Sequence, residues 1–183
     1  MTVAEITKTS QYLSFMLDQE IYALDISRVR EVLDFTDVTK VPRMPEYMRG
    51  VLNLRGGVVP VIDLRLKFGL SITSETVDTC VVIMEIDLEG ETTLLGALAD
   101  SVQEVLTLDP EYIEPPPRIG TRLNTEFIRG MGKKDDDFII ILDIDKVFSS
   151  EEVVDLKDIE DSPETDEEVI SGMNGDSIHE ISA

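Results

Sequence analysis

The chain has 183 residues, 42% of them hydrophobic, and a mean hydropathy near zero, so it can bury a core and form one or two small domains. Its formal charge of −22, from 38 acids against 16 bases, repels nucleic acid and anionic lipid and disfavours both as partners. The sequence has no apolar run of about 18 residues and no apolar N-terminal segment behind a basic start, which supports neither a membrane span nor a secretory signal. One cysteine, Cys80, cannot make an internal disulfide and fits a reducing compartment, with the cytoplasm as the expected address.

Residues 1–10 are short and polar and read as a flexible N-terminus. From there Leu13, Phe15 and Leu17 alternate with Ser14 and Met16, Asp18-Gln19-Glu20 turns, and Tyr22, Leu24 and Ile26 return with a period of two. Ser27 is placed to cap a helical turn over 28–30, and 31–35 reads as a further strand. Pro42 and Pro45 punctuate the approach to the stretch 47–65. There, apolar runs at 51–54 and 58–62 flank Arg55-Gly56-Gly57, a hairpin signal because tight turns need positive φ and the Gly-Gly pair supplies it. The turn leaves the Arg55 cation at a strand end held by backbone, and Pro60, lacking an N–H, predicts an edge strand or a bulge. A fixed cation beside an edge strand fits a partner-binding surface; a solvated hairpin tip fits it too.

Residues 66–76 read as a connection, and 77–88 with 92–99 as a strong hairpin around Glu89-Gly90. Cys80 lies in the run 79–84 and reads as a small buried hydrophobe. Pro115-Pro116-Pro117 stiffens an extended connector, and 138–142 is the last strong strand, closed by Asp143. Ile144, Val147 and Phe148 keep helical spacing and can dock on the body, with Ser149 or Ser150 capping an acidic helix over 151–160. Residues 151–183 hold 12 acids against the single base Lys157, half of the net charge, and 161–183 reads as an acidic disordered tail.

The chain repeats itself. Val29-Arg30-Glu31-Val32-Leu33 matches Val102-Gln103-Glu104-Val105-Leu106 at an offset of 73, from 29 to 102. Tyr47-Met48-Arg49-Gly50 matches Phe127-Ile128-Arg129-Gly130 at an offset of 80, and 58–64 matches 138–144 at the same 80. Three matches in one order predict two copies of a small β unit. Each copy would have about five short strands, close to the lower limit for independent stability, so the two are expected to bury apolar surface against each other. Short strands with Gly and Pro punctuation predict a mainly all-β fold of small closed or nearly closed barrels, because closure removes edges. The copies differ most where the first carries Asn53-Leu54-Arg55-Gly56-Gly57 and the second Met131-Gly132-Lys133-Lys134-Asp135-Asp136-Asp137. That corner of the first copy, and the seam between copies, are the expected binding regions.

Little here points to catalysis. His179, the only histidine, lies in the tail with nothing to orient it. No Gly-rich phosphate loop opens a helix. Asp63 and Asp143 fall at matched places after apolar strands; they could form a carboxylate pair, but a strand-ending Asp more often caps a turn. Asp135-Asp136-Asp137 could attract a hard cation, yet lacks the alternating spacing of a calcium loop. The seven Met residues read as core filler. The expectation is a non-enzyme with no catalytic residues, no metal and no cofactor.

Asn53-Leu54-Arg55-Gly56 followed by Val59-Pro60-Val61-Ile62-Asp63-Leu64-Arg65, with Val29-Arg30-Glu31-Val32, Phe127-Ile128-Arg129-Gly130 and the strand 138–143, resembles the CheW-like domain family of bacterial chemotaxis coupling proteins over residues 10–150. Such domains also occur fused to kinase or receiver domains; 183 residues leave no room for either, which favours a stand-alone adaptor. The resemblance implies two five-stranded SH3-like β-barrels around a shared hydrophobic seam, with short helices at the connections and the C-terminus. It implies one domain over 11–150 made of two intertwined subdomains, roughly 11–75 plus C-terminal elements and 76–150. It implies a monomeric, non-catalytic adaptor with no direct membrane insertion. That adaptor joins the cytoplasmic hairpin tip of methyl-accepting chemoreceptors to the regulatory domain of the histidine kinase CheA and is recruited from the cytoplasm to the membrane-associated array. By position, the receptor-binding groove comprises Val29, Glu31, Gly50, Arg55 and Gly56 with Val102 and Val105, and Glu31 and Arg55 match a family ion pair. The kinase contact maps to Val38, Val41 and Arg49, and a second kinase-type contact to Glu114, Arg118 and Ile119, where the charges of Glu114 and Arg118 are reversed from the family pattern. The alternatives are the same scaffold in a non-motility chemosensory pathway, and an aspartate-dependent hydrolase using Asp63 and Asp143.

Overall fold

The computed structural model describes residues 8–35, 38–115 and 127–148 together with Glu152. The strands are β1 (Ser10–Leu17), β2 (Glu20–Asp25), β3 (Val29–Asp34), β4 (Met48–Leu54), β5 (Gly57–Asp63), β6 (Cys80–Leu88), β7 (Glu91–Ala99), β8 (Ser101–Leu108), β9 (Ile113–Glu114), β10 (Ile128–Lys134) and β11 (Asp137–Leu142). A one-turn helix, α1 (Leu64–Lys67), follows β5. They form two sheets, ordered β8-β1-β2-β11-β10-β9 and β3-β6-β7-β5-β4. The fold is all-β, two SH3-like barrels side by side.

The repeat is visible in the pairing. With β6, β7, β8, β10 and β11 as second-copy counterparts of β1 to β5, both sheets share the order third, first, second, fifth, fourth strand, and the first adds the two-residue β9 beyond β10 as a sixth strand where five were expected. In each the second and fifth strands pair in parallel, Ile21↔Ile139 in one and Val61↔Gly96 in the other. Register irregularities also recur, between Met48 and Gly50 in β4 and between Ile128 and Gly130 in β10. The copies have exchanged hairpins. β1–β2, from the first copy, completes the sheet of β8, β10 and β11, whereas β6–β7, from the second, completes that of β3, β4 and β5. Each sheet therefore draws on both sides of residue 75.

This exchange explains the apolar runs. Along β11, Ile139 and Ile141 point into one barrel while Ile140 and Leu142 face the seam. Along β6, Val81 and Ile83 fill the other barrel while Val82 and Met84 face the seam. A strand buried on both faces needs both side-chain sets apolar. The largest cluster is the seam itself, where Phe15, Leu17, Tyr22 and Leu24 meet Ile62, Leu64, Met84, Ile86 and Leu95. Each fully buried side chain there contributes about 1.5–3 kcal/mol. Val147 and Phe148 close one end of it, as their spacing predicts. Lys67 lies 5.0 Å over Tyr47 and 5.6 Å over Phe148 and pairs with Glu152 at 2.5 Å.

Several expectations are corrected. β5 is not an edge strand, since β7 and β4 flank it. Pro60 faces Val51 of β4, and the ladder to β7 starts one residue later, so its missing N–H falls where only one neighbour is present. The cap of the first helical turn is Asp25, whose carboxylate accepts from Ser27 N at 2.9 Å, and the turn is a 3-10 turn at Ile26–Arg28. Residues 9 and 10 are held: Thr9 Oγ1 bonds Asp109 Oδ1 at 2.5 Å and Ser10 pairs with Leu108. Cys80 is half-buried rather than core, its thiol donating to Asp78 O at 3.2 Å. The rest of the acidic helix expected at 151–160, the tail at 161–183 and the middle of the proline connector lie outside the described residues.

Candidate functional site

The corner after β4 is a two-residue turn. Leu54 pairs with Gly57, leaving Arg55 (φ 51°) and Gly56 (φ 85°) as its centre, one residue earlier than a Gly56-Gly57 turn would sit. Positive φ at both central residues is the hairpin geometry that matches strand twist. For Arg55, which carries a Cβ, it is an uncommon conformation. Asn53 Oδ1 accepts from Gly56 N at 3.2 Å and helps hold it. From this turn Arg55 Nη2 reaches Glu31 Oε2 on β3 at 2.7 Å. Arg55 is 74% exposed and Glu31 23%, and the second Glu31 oxygen, Oε1, is buried with no partner among the described residues. An ion pair this exposed contributes about 0–1 kcal/mol, so it sets a geometry more than it holds a fold.

β3 and β8 are edge strands of their respective sheets, and both border the seam. Val29 and Val102 are half-buried against the same central cluster. The strands converge at Cys80, which faces Asp34 of β3 in the ladder and takes a hydrogen bond from the Val102 backbone onto its thiol. Burial pushes that thiol pKa up, with the Val102 bond opposing, so it stays protonated and unreactive near neutral pH. Val105 is 49% exposed on β8, and its first-copy counterpart Val32 is 39% exposed on β3. Gly50 is buried behind the corner at φ 146°, where an added Cβ would come within 2.2 Å of Thr39 O.

The other expected site residues fall elsewhere. Val38 and Val41 are half-buried on the segment that crosses β4 through the Thr39–Val51 bridge, with Val38 against the first-barrel interior. Arg49 turns inward: its guanidinium lies 3.6 Å from Asp63, 3.5 Å from Glu75 and 5.8 Å over Phe35, and only 20% of the side chain is exposed. Glu114 is exposed on β9, opposite Met131, whereas Arg118 and Ile119 lie outside the described residues. Asp63 is fully buried and saturated, accepting from Arg65 N, Thr73 N and Thr73 Oγ1 at 3.1, 2.9 and 2.7 Å. That is the capping role of a strand-ending Asp, extended to pin the linker. Among the described residues no three His, Cys, Asp or Glu side chains gather to hold a metal, and no helix is long and apolar enough to cross a membrane.

Sequence reasoning missed one more pairing at the seam end. Arg28 clamps Asp145 through two bonds of 2.5 and 2.9 Å, and Asp87 N donates to the same carboxylate at 3.0 Å. Burial alone would raise the Asp145 pKa, but the Arg28 bonds, the Asp87 N–H and the Arg28 charge outweigh it and hold the carboxyl below its usual range. No local pattern marks a contact spanning 117 residues.

Two barrels with exchanged hairpins, an apolar seam between two open edge strands and a charged clasp beside it define a binding scaffold. The model of the CheW-like domain matches residues 11–152, and the chain belongs to that family, the chemotaxis scaffold proteins. A chemotaxis protein CheW of Klebsiella aerogenes is 36% identical over 80% of this chain and 86% of its own length. One from Treponema pallidum is 33% identical over 81% and 88%. Among solved structures, the scaffolding protein TtCheW from Thermoanaerobacter tengcongensis is 38% identical and superposes with a TM-score of 0.68 over 76% of this chain and 92% of its own.

Proposed function

We propose that this chain is a non-catalytic adaptor that couples the cytoplasmic hairpin tip of chemoreceptors to the regulatory domain of the histidine kinase CheA. The supporting observation is the Glu31–Arg55 clasp standing beside an apolar seam bordered by Val29 and Val102. A receptor helix offers Leu or Val knobs that such valines can bury, while rim charges fix its orientation more than its bulk affinity. Val38 and Val41, on the far side of β4, offer the kinase a separate apolar strip, and Glu114 belongs to a second kinase-type contact that would close rings. Arg49, spent on Asp63 and Glu75, acts as an internal brace of that face more than as a direct contact. The protein works as a cytoplasmic monomer drawn to the membrane-associated array by these partners.

The experiment is Arg55→Glu in a reconstituted array of receptor, kinase and adaptor. It places two acids together at the clasp while leaving the cores untouched. Receptor-dependent kinase activation should fall by about fivefold or more, with the melting temperature within a degree or two of the parent. Unchanged activation would refute the reading.

A further inference from the structure

The repeat holds a second clasp at the matched place on the other barrel. Glu104 of β8 is the counterpart of Glu31 at the same offset, 73, that relates Val102 to Val29. It forms an ion pair with Lys134 at the end of β10, the counterpart of β4. Each pair ties the third strand of its barrel to the end of the fourth, and neither pair of strands shares a backbone ladder.

The cations do not come from matched positions. At an offset of 80 the counterpart of Arg55 (φ 51°) is Asp135 (φ 55°), so the turn geometry is repeated while its charge is inverted. The second-copy cation comes from Lys134, which stands where the first copy has Leu54. A contact carried along passively by duplication would use the same two positions. Here the corner sequence has diverged and the acid on the third strand still meets a cation. Both strands so fastened are open edges beside the seam, each presenting a valine, Val32 and Val105, at matched places.

We infer that Glu104 and Lys134 are positioning residues that hold β8 in place for the receptor helix, as Glu31 and Arg55 hold β3. The inference rests on the reading of the seam as the receptor-binding groove. Both members are surface groups, Lys134 43% and Glu104 53% exposed, so the pair adds little to the stability of the barrel. Its effect is on the edge strand, which no longer has to be ordered when a helix docks against it.

The test titrates the full chain with a receptor hairpin-tip fragment by calorimetry and records the melting temperature of each variant. Lys134→Glu should weaken binding about fivefold with the melting temperature unchanged. The double exchange Glu104→Lys with Lys134→Glu, which rebuilds the pair with the same net charge, should restore the parent Kd. Unaltered binding in Lys134→Glu, a loss matched by a lowered melting temperature, or failure of the exchange to restore Kd each overturns the inference. Arg55→Glu separates the two claims. If it weakens binding and Lys134→Glu does not, only the second clasp falls; if neither weakens it, the groove reading falls with it.

Discussion

At the residue scale, charge in this protein is used to hold corners. Arg49, Arg65 and Arg28 each bridge segments that are distant in sequence: Arg49 to Asp63 and Glu75, Arg65 to Asp100 at 2.8 Å and Asp18 at 3.5 Å, Arg28 to Asp145. The Arg28–Asp145 clamp carries a pH signature. The folded Asp145 pKa is lowered, so its contribution is present above the unfolded value of about 3.9 and is lost as pH falls through the lower folded value. Asp145→Asn should therefore cost about 1–2 kcal/mol at pH 7 and flatten the loss of stability as pH falls below about 4, measured by urea unfolding over a descending pH series.

At the scale of elements, the clearest constraint is the bulge in β4. Gly50 sits at φ 146°, and an alanine there would press its Cβ on the backbone oxygen of Thr39 at 2.2 Å. The strand would be strained and the Thr39–Val51 bridge, closed by bonds of 2.9 and 2.8 Å, would open. Gly50→Ala is expected to cost about 2–4 kcal/mol, seen as a lower denaturant midpoint and faster amide exchange at Thr39 and Val51. Since Val38 and Thr39 would move, binding at the proposed kinase strip should weaken as well. By contrast, Gly56 meets nothing within 4 Å, so its φ of 85° is what restricts that position.

At the scale of the whole molecule, the exchanged hairpins make the two barrels one cooperative unit. Residues 8–75 alone would leave β3, β4 and β5 without the hairpin that lies between β3 and β5 in their sheet, and residues 76–152 would have the reciprocal gap. Each half would also expose its side of the seam, including Phe15 and Leu17 or Met84 and Leu95. Neither fragment should show cooperative thermal unfolding by circular dichroism, and mixing them in equal amounts should restore it. Cooperative melting of either half alone would mean that a barrel can close without the exchange.

What could be read from the amino acids alone was whatever depends on near neighbours. Period-two alternation gives β1 and β2, apolar runs give β6, β7 and β11, a positive-φ corner follows Leu54, and the matches at offsets of 73 and 80 reveal the duplication. The Glu31–Arg55 pair became visible only with a family resemblance beside the sequence. Tertiary structure alone decided which hairpin completes which barrel, because the alternation in Phe15–Leu17 or Met84–Ile86 is the same whether that hairpin stays in its own copy or crosses to the other. It also turned Arg49 inward and brought Glu104 to Lys134, outcomes set by segments that meet only after the chain has folded back on itself, 14 residues from Arg49 to Asp63 and 30 from Glu104 to Lys134. Local pattern records what a strand's two faces bury; it does not record whose face lies opposite.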